Sequence, residues 1–214
     1  MAVSLPNGAL LAVATAYASP LTVTAASNAS SCVLTVTNTL VAGDIIEFTS
    51  GWSRANGRVF RVSAATASTV TVEGLDTTST VQYSAASGIG SIRKINTFTQ
   101  VTQIMGCTSS GGEPQYQTFS FLEQDFDSQI PTTTSAQSLA LEIADDPALA
   151  GYQAIKAIAL SRAATALRLT FPAGGFMFYN AVFAFDETPS LTKGNLMAVK
   201  AGLALQNRPV RYAT

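Results

Sequence analysis

The sequence predicts a mainly β protein, a barrel or sandwich of strands with one packed α-helix. Short runs of β-branched and aromatic residues recur along the 214 residues, separated by Gly, Asn and Pro turn signals. One stretch alone, around 147–162, repeats its apolar residues with helical spacing. Charged residues make up only 12% of the chain, well below the ~25% typical of globular domains. So few charges indicate that other molecules cover much of the surface.

The first third of the chain contains four short strand candidates. Gly43-Asp44 and Asn56-Gly57 separate them, and Asn-Gly is a strong hairpin signal. Strands at spacings of ~10 residues predict a small closed or sandwiched β unit, and the Ser/Gly-rich stretch 84–91 marks its boundary. The four candidates are Cys32–Thr37, Ile45–Thr49, Val59–Val62 and Val70–Glu73.

The middle of the chain predicts longer strands. Residues 91–105 are expected to form one extended strand. Residues 116–122 and 135–143 alternate apolar and polar side chains, so each strand is expected to pack one face against the core and to expose the other to solvent. A polar segment that contains Pro131 joins them and predicts a loop of ~13 residues, longer than a hairpin needs. Long loops are often functional.

A helix and three strands are predicted toward the end. Asp145-Asp146-Pro147 is typical of a helix start, with an N-cap followed by proline. Leu149, Tyr152 and Ile155 then share one face, so the helix is expected to pack on a sheet. The strands are 166–171, 176–185 and 197–205, the last with Val199, Ala201, Leu203 and Leu205 on one face.

Charge is unevenly distributed. Residues 95–155 carry seven acidic groups and no basic one, whereas residues 156–214 carry seven basic and two acidic groups. This division is either a chance fluctuation or a sign that an acidic patch on one copy meets a basic patch on the next. Head-to-tail contacts of the second kind build rings or filaments. Arg208 and Arg211 are candidates for such subunit contacts.

The composition excludes several kinds of enzyme and metal site. Histidine is absent, which removes Ser-His-Asp and Cys-His nucleophiles and His-ligated zinc. The segment that starts at Asp125 begins like a calcium loop, but Ile130 stands where Gly is needed and Ala136 where Glu is needed. Cys32 and Cys107 are expected to be free, buried thiols. We predict no catalytic residue, no metal and no cofactor.

Three motifs follow one another near the end of the chain. They are Leu167-Arg-Leu-Thr-Phe-Pro-Ala-Gly-Gly175, Pro189-Ser-Leu-Thr-Lys193 and Leu205-Gln-Asn-Arg-Pro209, with a strand in each interval. In this order they resemble the tail tube proteins of long-tailed bacteriophages, the siphophage-type major tail proteins, although Ala173 replaces the more usual Asn. The resemblance covers residues 1–20 and 92–214, which we expect to form the tail tube domain.

Residues 21–91 carry a second resemblance. Ala42–Trp52, Asn56–Val62 and Glu73–Thr78 resemble a small β module that recurs in phage tail proteins. We therefore expect 21–91 to be an inserted, barrel-like β domain. An alternative stays open, that the chain is a carbohydrate- or receptor-binding β module of a phage tail, with Trp52 as the side chain that stacks on sugars.

The resemblance implies a structural virion protein and no enzyme. Members form hexameric rings that stack into a hollow tail tube, and genomic DNA passes through the lumen on ejection without specific binding. Implied partners are other copies of the chain, a tape measure protein and tail terminator and tip proteins, with assembly in the host cytoplasm and no membrane. The long loop would reach a neighbouring ring, which gives ring-stacking candidates Asp125, Phe126, Asp127, Ser128, Gln129, Ile130, Pro131, Thr132, Thr133 and Thr134.

The polar strand faces suit the wall of such a lumen. Small neutral side chains make no strong contacts with DNA phosphates, and acidic side chains repel them. The lumen-facing candidates are Thr118, Ser120, Ser138, Ala140 and Glu142.

Overall fold

The computed structural model describes residues 7–213. Its first half is built from short strands with tight turns, as the β-branched runs predict. The Asn56-Gly57 pair does not form a two-residue hairpin turn but ends a seven-residue connection, 51–57, in which Gly57 has a left-handed φ of 67°, a conformation that glycine adopts without strain. The strands are β1 Leu10–Tyr17, β2 Leu21–Val23, β3 Ala25–Ala26, β4 Val33–Thr35, β5 Ile45–Ser50, β6 Arg58–Ala65 and β7 Thr69–Val72.

The second half contains nine strands and the single helix of the described residues. The prediction of a mainly β fold with one helix is confirmed. The elements are β8 Gly90–Val101, β9 Ile104–Ser110, β10 Pro114–Phe119, β11 Ser128–Thr134, β12 Ser138–Ala144, α1 Ala150–Ser161, β13 Thr165–Thr170, β14 Phe176–Ser190, β15 Ala198–Leu205 and β16 Val210–Tyr212.

Fourteen strands form one curled antiparallel sheet, a half-barrel. The order along its main path is β3-β4-β7-β6-β5-β8-β1-β13-β14-β15-β12-β9, with β16 paired to β14 and β2 to β8. The helix α1 packs against β14, β8 and β1. Tyr152 and Ile155 are its buried large side chains, so the predicted packing face is confirmed.

Two apolar clusters share the central strands. Val13 and Leu167 point into a cluster beneath α1, whereas Ala14 and Ala166 point to the opposite side of the same strands. The cluster on this opposite side, which contains Ala14 and Ala166, also contains the core of residues 21–91 together with Phe178. Strands of residues 21–91 also belong to the same sheet as later segments, because β2 and β5 both pair with β8. Whether they form an inserted domain in the sense expected from sequence stays a prediction.

Tyr212 of β16 links these parts of the chain. Its Oη accepts a hydrogen bond from the Arg61 backbone N–H at 2.9 Å and donates one to the Glu73 carbonyl at 3.0 Å. Burial raises the pKa of Tyr212 to about 12, which keeps this hydroxyl protonated and able to donate. The last strand is thereby fastened to β6 and to the end of β7.

Tyr212→Phe is expected to lower the free energy of unfolding by about 1–3 kcal/mol, because both backbone partners lose their buried hydrogen bond. Chemical denaturation of the full chain measures this. Tyr116→Phe is the matched control, since Tyr116 is exposed and its change should stay within about 0.5 kcal/mol. Equal stabilities of the two variants would contradict the role assigned to Tyr212.

Three predicted element boundaries were wrong. The single strand expected over 91–105 is two strands, because Gln103 adopts a left-handed φ of 58° and turns the chain between β8 and β9. The helix begins at Ala150, with Leu149 at the N-cap and no capping side chain. Asp146 instead accepts a hydrogen bond from the Ala148 N–H in the preceding turn. Strand β14 continues to Ser190 and does not end at 185.

Candidate assembly interface

Four neighbouring strands, β9, β12, β15 and β14, form what we call the wall sheet. One face of it is apolar and packs into the cluster beneath α1. As the sequence alternation predicts, Leu139, Leu141 and Ile143 of β12 are buried there. Val199, Ala201 and Leu203 of β15 join them.

The opposite face of the wall sheet, the wall face, carries small and polar side chains. Ser138, Ala140 and Glu142 of the predicted lumen set lie on it, in register with Ala204, Gly202 and Lys200 of β15. The other members were not predicted from the sequence, although the apolar alternation of β15 implies small outward residues there. The whole wall face is Gly106, Thr108, Ser110, Ser138, Ala140, Glu142, Val182, Ala184, Asp186, Lys200, Gly202 and Ala204.

One row of the wall face contains all of its charges. Glu142 lies opposite Lys200, and Lys200 lies opposite Asp186, across three adjacent strands. Hydrogen bonds from Thr188, and to a lesser extent the charge of Lys200, lower the pKa of the Asp186 carboxyl. The face therefore has one cation and two anions, and no basic groove that could hold nucleic acid.

The directions of the backbone groups in β12 follow from two bonds near its end. The Ala144 N–H donates to the Gln103 carbonyl, next to β9, and the Asp145 N–H donates to the Met197 carbonyl, next to β15. Successive residues of a strand turn their backbone groups to opposite sides. Even-numbered residues of β12 therefore bond to β9, and odd-numbered residues bond to β15.

One edge of β9 has no partner strand among the described residues. β9 pairs with β12 alone, and Thr108 lies opposite Ala140. Because Ala140 turns toward β9, Thr108 bonds back to it, whereas Cys107 and Ser109 point their N–H and C=O groups away from the sheet. Such an edge is available to a further strand.

A second open edge lies on β14. Its first part, Phe176–Ala181, is paired with β13, but among residues 7–213 the part beyond Ala181 has a partner strand only on the β15 side. The Asn180 carbonyl accepts the Gln206 N–H on that side. By the same alternation, Phe183 and Phe185 turn their backbone groups to the side where β13 has ended. The wall sheet thus has an open edge on each side.

A cleft of about 480 Å³ runs beside the open edge of β14. Phe183 and Phe185 line one side, and Leu160 of α1 lines the other. Lys156 Nζ donates to Glu187 Oε2 at 2.7 Å, and this bond raises the pKa of Lys156. The cleft separates this part of β14 from α1, and the Lys156–Glu187 ion pair joins its two sides.

Strands β10 and β11 form a two-stranded hairpin outside the large sheet, and we call residues 114–134 the arm. The loop predicted over 125–134 was wrong in part, because Ser128–Thr134 is a strand that pairs with β10. The two strands that this loop was predicted to join, 116–122 and 135–143, do not pair with each other. Thr118 and Ser120 therefore lie in the arm, away from the other three lumen candidates.

The tip of the arm carries both exposed apolar side chains and acidic side chains. Phe121, Leu122 and Phe126 are exposed, Leu122 almost completely. Glu123, Asp125 and Asp127 lie between and beside them, and the arm carries no basic residue. Exposed apolar groups of this size indicate a surface that contacts another molecule.

The chain matches a known protein family. A family model described as Phage tail tube protein, TTP, matches residues 50–214, which is most of the chain. The chain belongs to this family. No curated protein matches it. The tail tube resemblance seen in the sequence is thereby confirmed, whereas the match begins inside 21–91 and leaves the inserted domain a prediction.

Membership of the tail tube family has coarse consequences for function. It supports a structural protein of the virion tail, in a family that is generally non-enzymatic. It also implies self-assembly into a tube and association with other tail proteins. The open edges, the wall face and the arm are therefore candidate contact surfaces between copies.

Arg208, one of the two basic candidates for subunit contacts, lies near the base of the arm. Arg208 is exposed beside Ser135 and Gln137, which line a shallow pocket there. Arg211 is also exposed, and its guanidinium lies 4.7 Å from the centre of the Phe171 ring. Both cations are therefore accessible to a neighbouring molecule.

Trp52 is not available to stack on a sugar. It is only 3% exposed, its Nε1–H donates to the Ser84 carbonyl at 2.7 Å, and its ring meets Tyr83 edge to face. Trp52 is a core residue of the segment 21–91. The alternative of a carbohydrate- or receptor-binding module loses the residue on which it rested.

Other features of the described residues bear on the exclusions made from sequence. Within 7–213, no three His, Cys, Asp or Glu residues are grouped so that they could hold a metal ion. No helix in that range has the length and apolar character needed to cross a membrane. Cys32 is buried as expected, but Cys107 is exposed, because its strand β9 has no neighbour on one side.

Proposed function

We propose that the chain is the major tail tube subunit of a siphophage-type tail, in which hexameric rings stack into the channel for DNA ejection. The open edges of the wall sheet are the observation that carries this proposal. β9 offers one edge and β14 the other, on opposite sides of the same four strands. Copies of the subunit can therefore extend one another's sheet.

Strand directions in the wall sheet favour closure into a ring. Neighbours alternate in direction, from β9 through β12 and β15 to β14. In a ring all copies point the same way along the axis, so β9 of one copy meets β14 of the next in antiparallel fashion too. This head-to-tail contact closes when its rotation fits. Closure also removes the two edges that make a lone subunit prone to aggregation.

Six copies would supply 24 strands from the four-stranded wall sheet. Strands spaced about 4.8 Å apart and tilted by about 40° then enclose a barrel on the order of 50 Å across. A DNA duplex passes through such an opening. In this arrangement the wall face, with Ser138, Ala140 and Glu142, lines the lumen, and DNA slides past without specific binding.

The arm is the proposed ring-stacking element, with residues 125–134 in its tip and second strand. Thr118 and Ser120 belong with it and not with the lumen lining. Arg208 and Arg211 are proposed to meet acidic groups of a neighbouring subunit. A tape measure protein and tail terminator and tip proteins are the further partners we propose, with assembly in the host cytoplasm and no catalytic step.

Electron microscopy of the purified full chain tests the proposal. We expect rings with sixfold symmetry and, at higher protein concentration, tubes built from them. Class averages of end views give the number of copies directly. Monomers that form neither rings nor tubes at any ionic strength would overturn the proposal, and rings with another symmetry would overturn the hexamer.

Ala140→Lys is expected to make tubes retain duplex DNA, because it adds a cation to every copy in the middle of the proposed lumen lining. Co-sedimentation of a short labelled duplex measures this, and retention should fall steeply between about 50 and 200 mM salt. Ser68→Lys, in the exposed turn between β6 and β7, is the control and should leave the tubes without DNA. Equal retention by both variants would contradict the lining.

A further inference from the structure

The arm and the turn between β14 and β15 lie at opposite ends of the wall sheet. β9 ends at Ser110 opposite Ser138, so the arm leaves from that end. The turn, residues 191–197, connects the strands beyond Asp186 and Lys200, which pair near the other end. Seven residues of β12 separate the two ends, a distance of about 20 Å.

Both projections expose apolar side chains. On the arm these are Phe121, Leu122 and Phe126, and on the turn they are Leu191 and Leu196, which are 78% and 70% exposed. Met197 adds a further half-exposed side chain at the end of the turn. Apolar groups concentrated at two projections, away from both core clusters, indicate contact surfaces.

The charges of the two projections are complementary. The arm tip has Glu123, Asp125 and Asp127 and no cation, whereas Lys193 is the one charged residue of the turn. An acidic patch that meets a basic one steers association and fixes its register.

We propose that the arm tip of one copy docks on the β14–β15 turn of a copy in the next ring, an inference that rests on the proposed function. Rings that stack in the same orientation bring the arm end of each copy against the turn end of another. Each copy then gives one arm and receives another. Leu191 and Leu196 pack on the apolar arm tip, and Lys193 pairs with its carboxylates.

Disulfide cross-linking in assembled tubes tests the contact. In a Cys107→Ser background, which leaves only the buried Cys32, the full chain carries Phe126→Cys together with Leu191→Cys. Oxidation is expected to give a ladder of covalently joined chains longer than dimers, since each copy holds both partners. Phe126→Cys with Ser68→Cys is the matched control and should give no such ladder.

Tubes that form but give no more ladder than the control would overturn the docking site and leave the proposed function standing. A parent chain that forms no tubes would overturn both.

Should the cysteine pair itself prevent assembly, charge reversal gives a second measurement. Lys193→Glu is expected to raise the subunit concentration needed for tubes about tenfold. Adding Asp125→Lys and Asp127→Lys to the Lys193→Glu chain should return that concentration to the parent's value. Unchanged assembly of Lys193→Glu would overturn the contact.

Discussion

Ser109→Pro is expected to abolish ring formation and leave the subunit folded. The Ser109 N–H points to the open edge of β9, so proline removes a donor that no strand of the same subunit uses. Proline is tolerated on an edge strand where its missing N–H faces outward, but it cannot donate to a neighbour's strand. Sedimentation velocity should show no rings even at about ten times the concentration at which the parent chain assembles, which corresponds to a loss of at least ~1.4 kcal/mol per contact.

Thr108→Pro is the control one residue away. Thr108 lies opposite Ala140 and bonds to it within the subunit, so this variant should lower the free energy of unfolding by about 1–3 kcal/mol. Ser109→Pro should unfold like the parent chain. Normal rings from folded Ser109→Pro would mean that β9 is not a ring contact, and a reversed order of stabilities would mean that the backbone directions are wrong.

Replacement of residues 114–134 by Asn-Gly is expected to stop assembly at single rings. The Ser135 N–H donates to the Glu113 carbonyl at 2.9 Å, so a two-residue turn can close the chain there. The arm strands pair only with each other, and neither apolar cluster of the described residues includes them. The subunit should therefore melt within about 2 °C of the parent, a shift of less than 1 kcal/mol.

Electron microscopy separates this variant from the edge variant. The armless chain should show rings without tubes, whereas Ser109→Pro should show neither. Phe126→Leu keeps an apolar tip and is expected to form normal tubes. Tubes of ordinary length from the armless chain would contradict a stacking role for the arm.

The wall sheet could be predicted from sequence because one of its faces packs on a core. Burial of Leu139, Leu141 and Ile143 requires every second residue to be apolar, and that requirement is visible as an alternation. The same holds for Val199 and Leu203 in β15. The polar partners on the other face follow from the same period, so Ser138, Ala140 and Glu142 were placed together correctly on one face.

The second strand of the arm, β11, could not be predicted because neither face of the arm is buried. Strand β11 runs Ser-Gln-Ile-Pro-Thr-Thr-Thr, and without a packed side its residues need no period. Pro131 and three threonines then look like a loop. The turn at Gln103 between β8 and β9 was not predicted for a different reason. Gln103 has a left-handed backbone, a conformation that a sequence usually indicates by glycine, and no glycine stands there.

One row of the wall face has almost no hydrogen-bonding capacity. Thr108, Ala140, Gly202 and Ala184 lie side by side across the four strands, and the Thr108 hydroxyl is the one polar side-chain group among them. Repeated around a closed ring, this row becomes a belt of methyl groups and bare backbone. Friction on a polymer drawn through such a belt should be low and independent of nucleotide sequence.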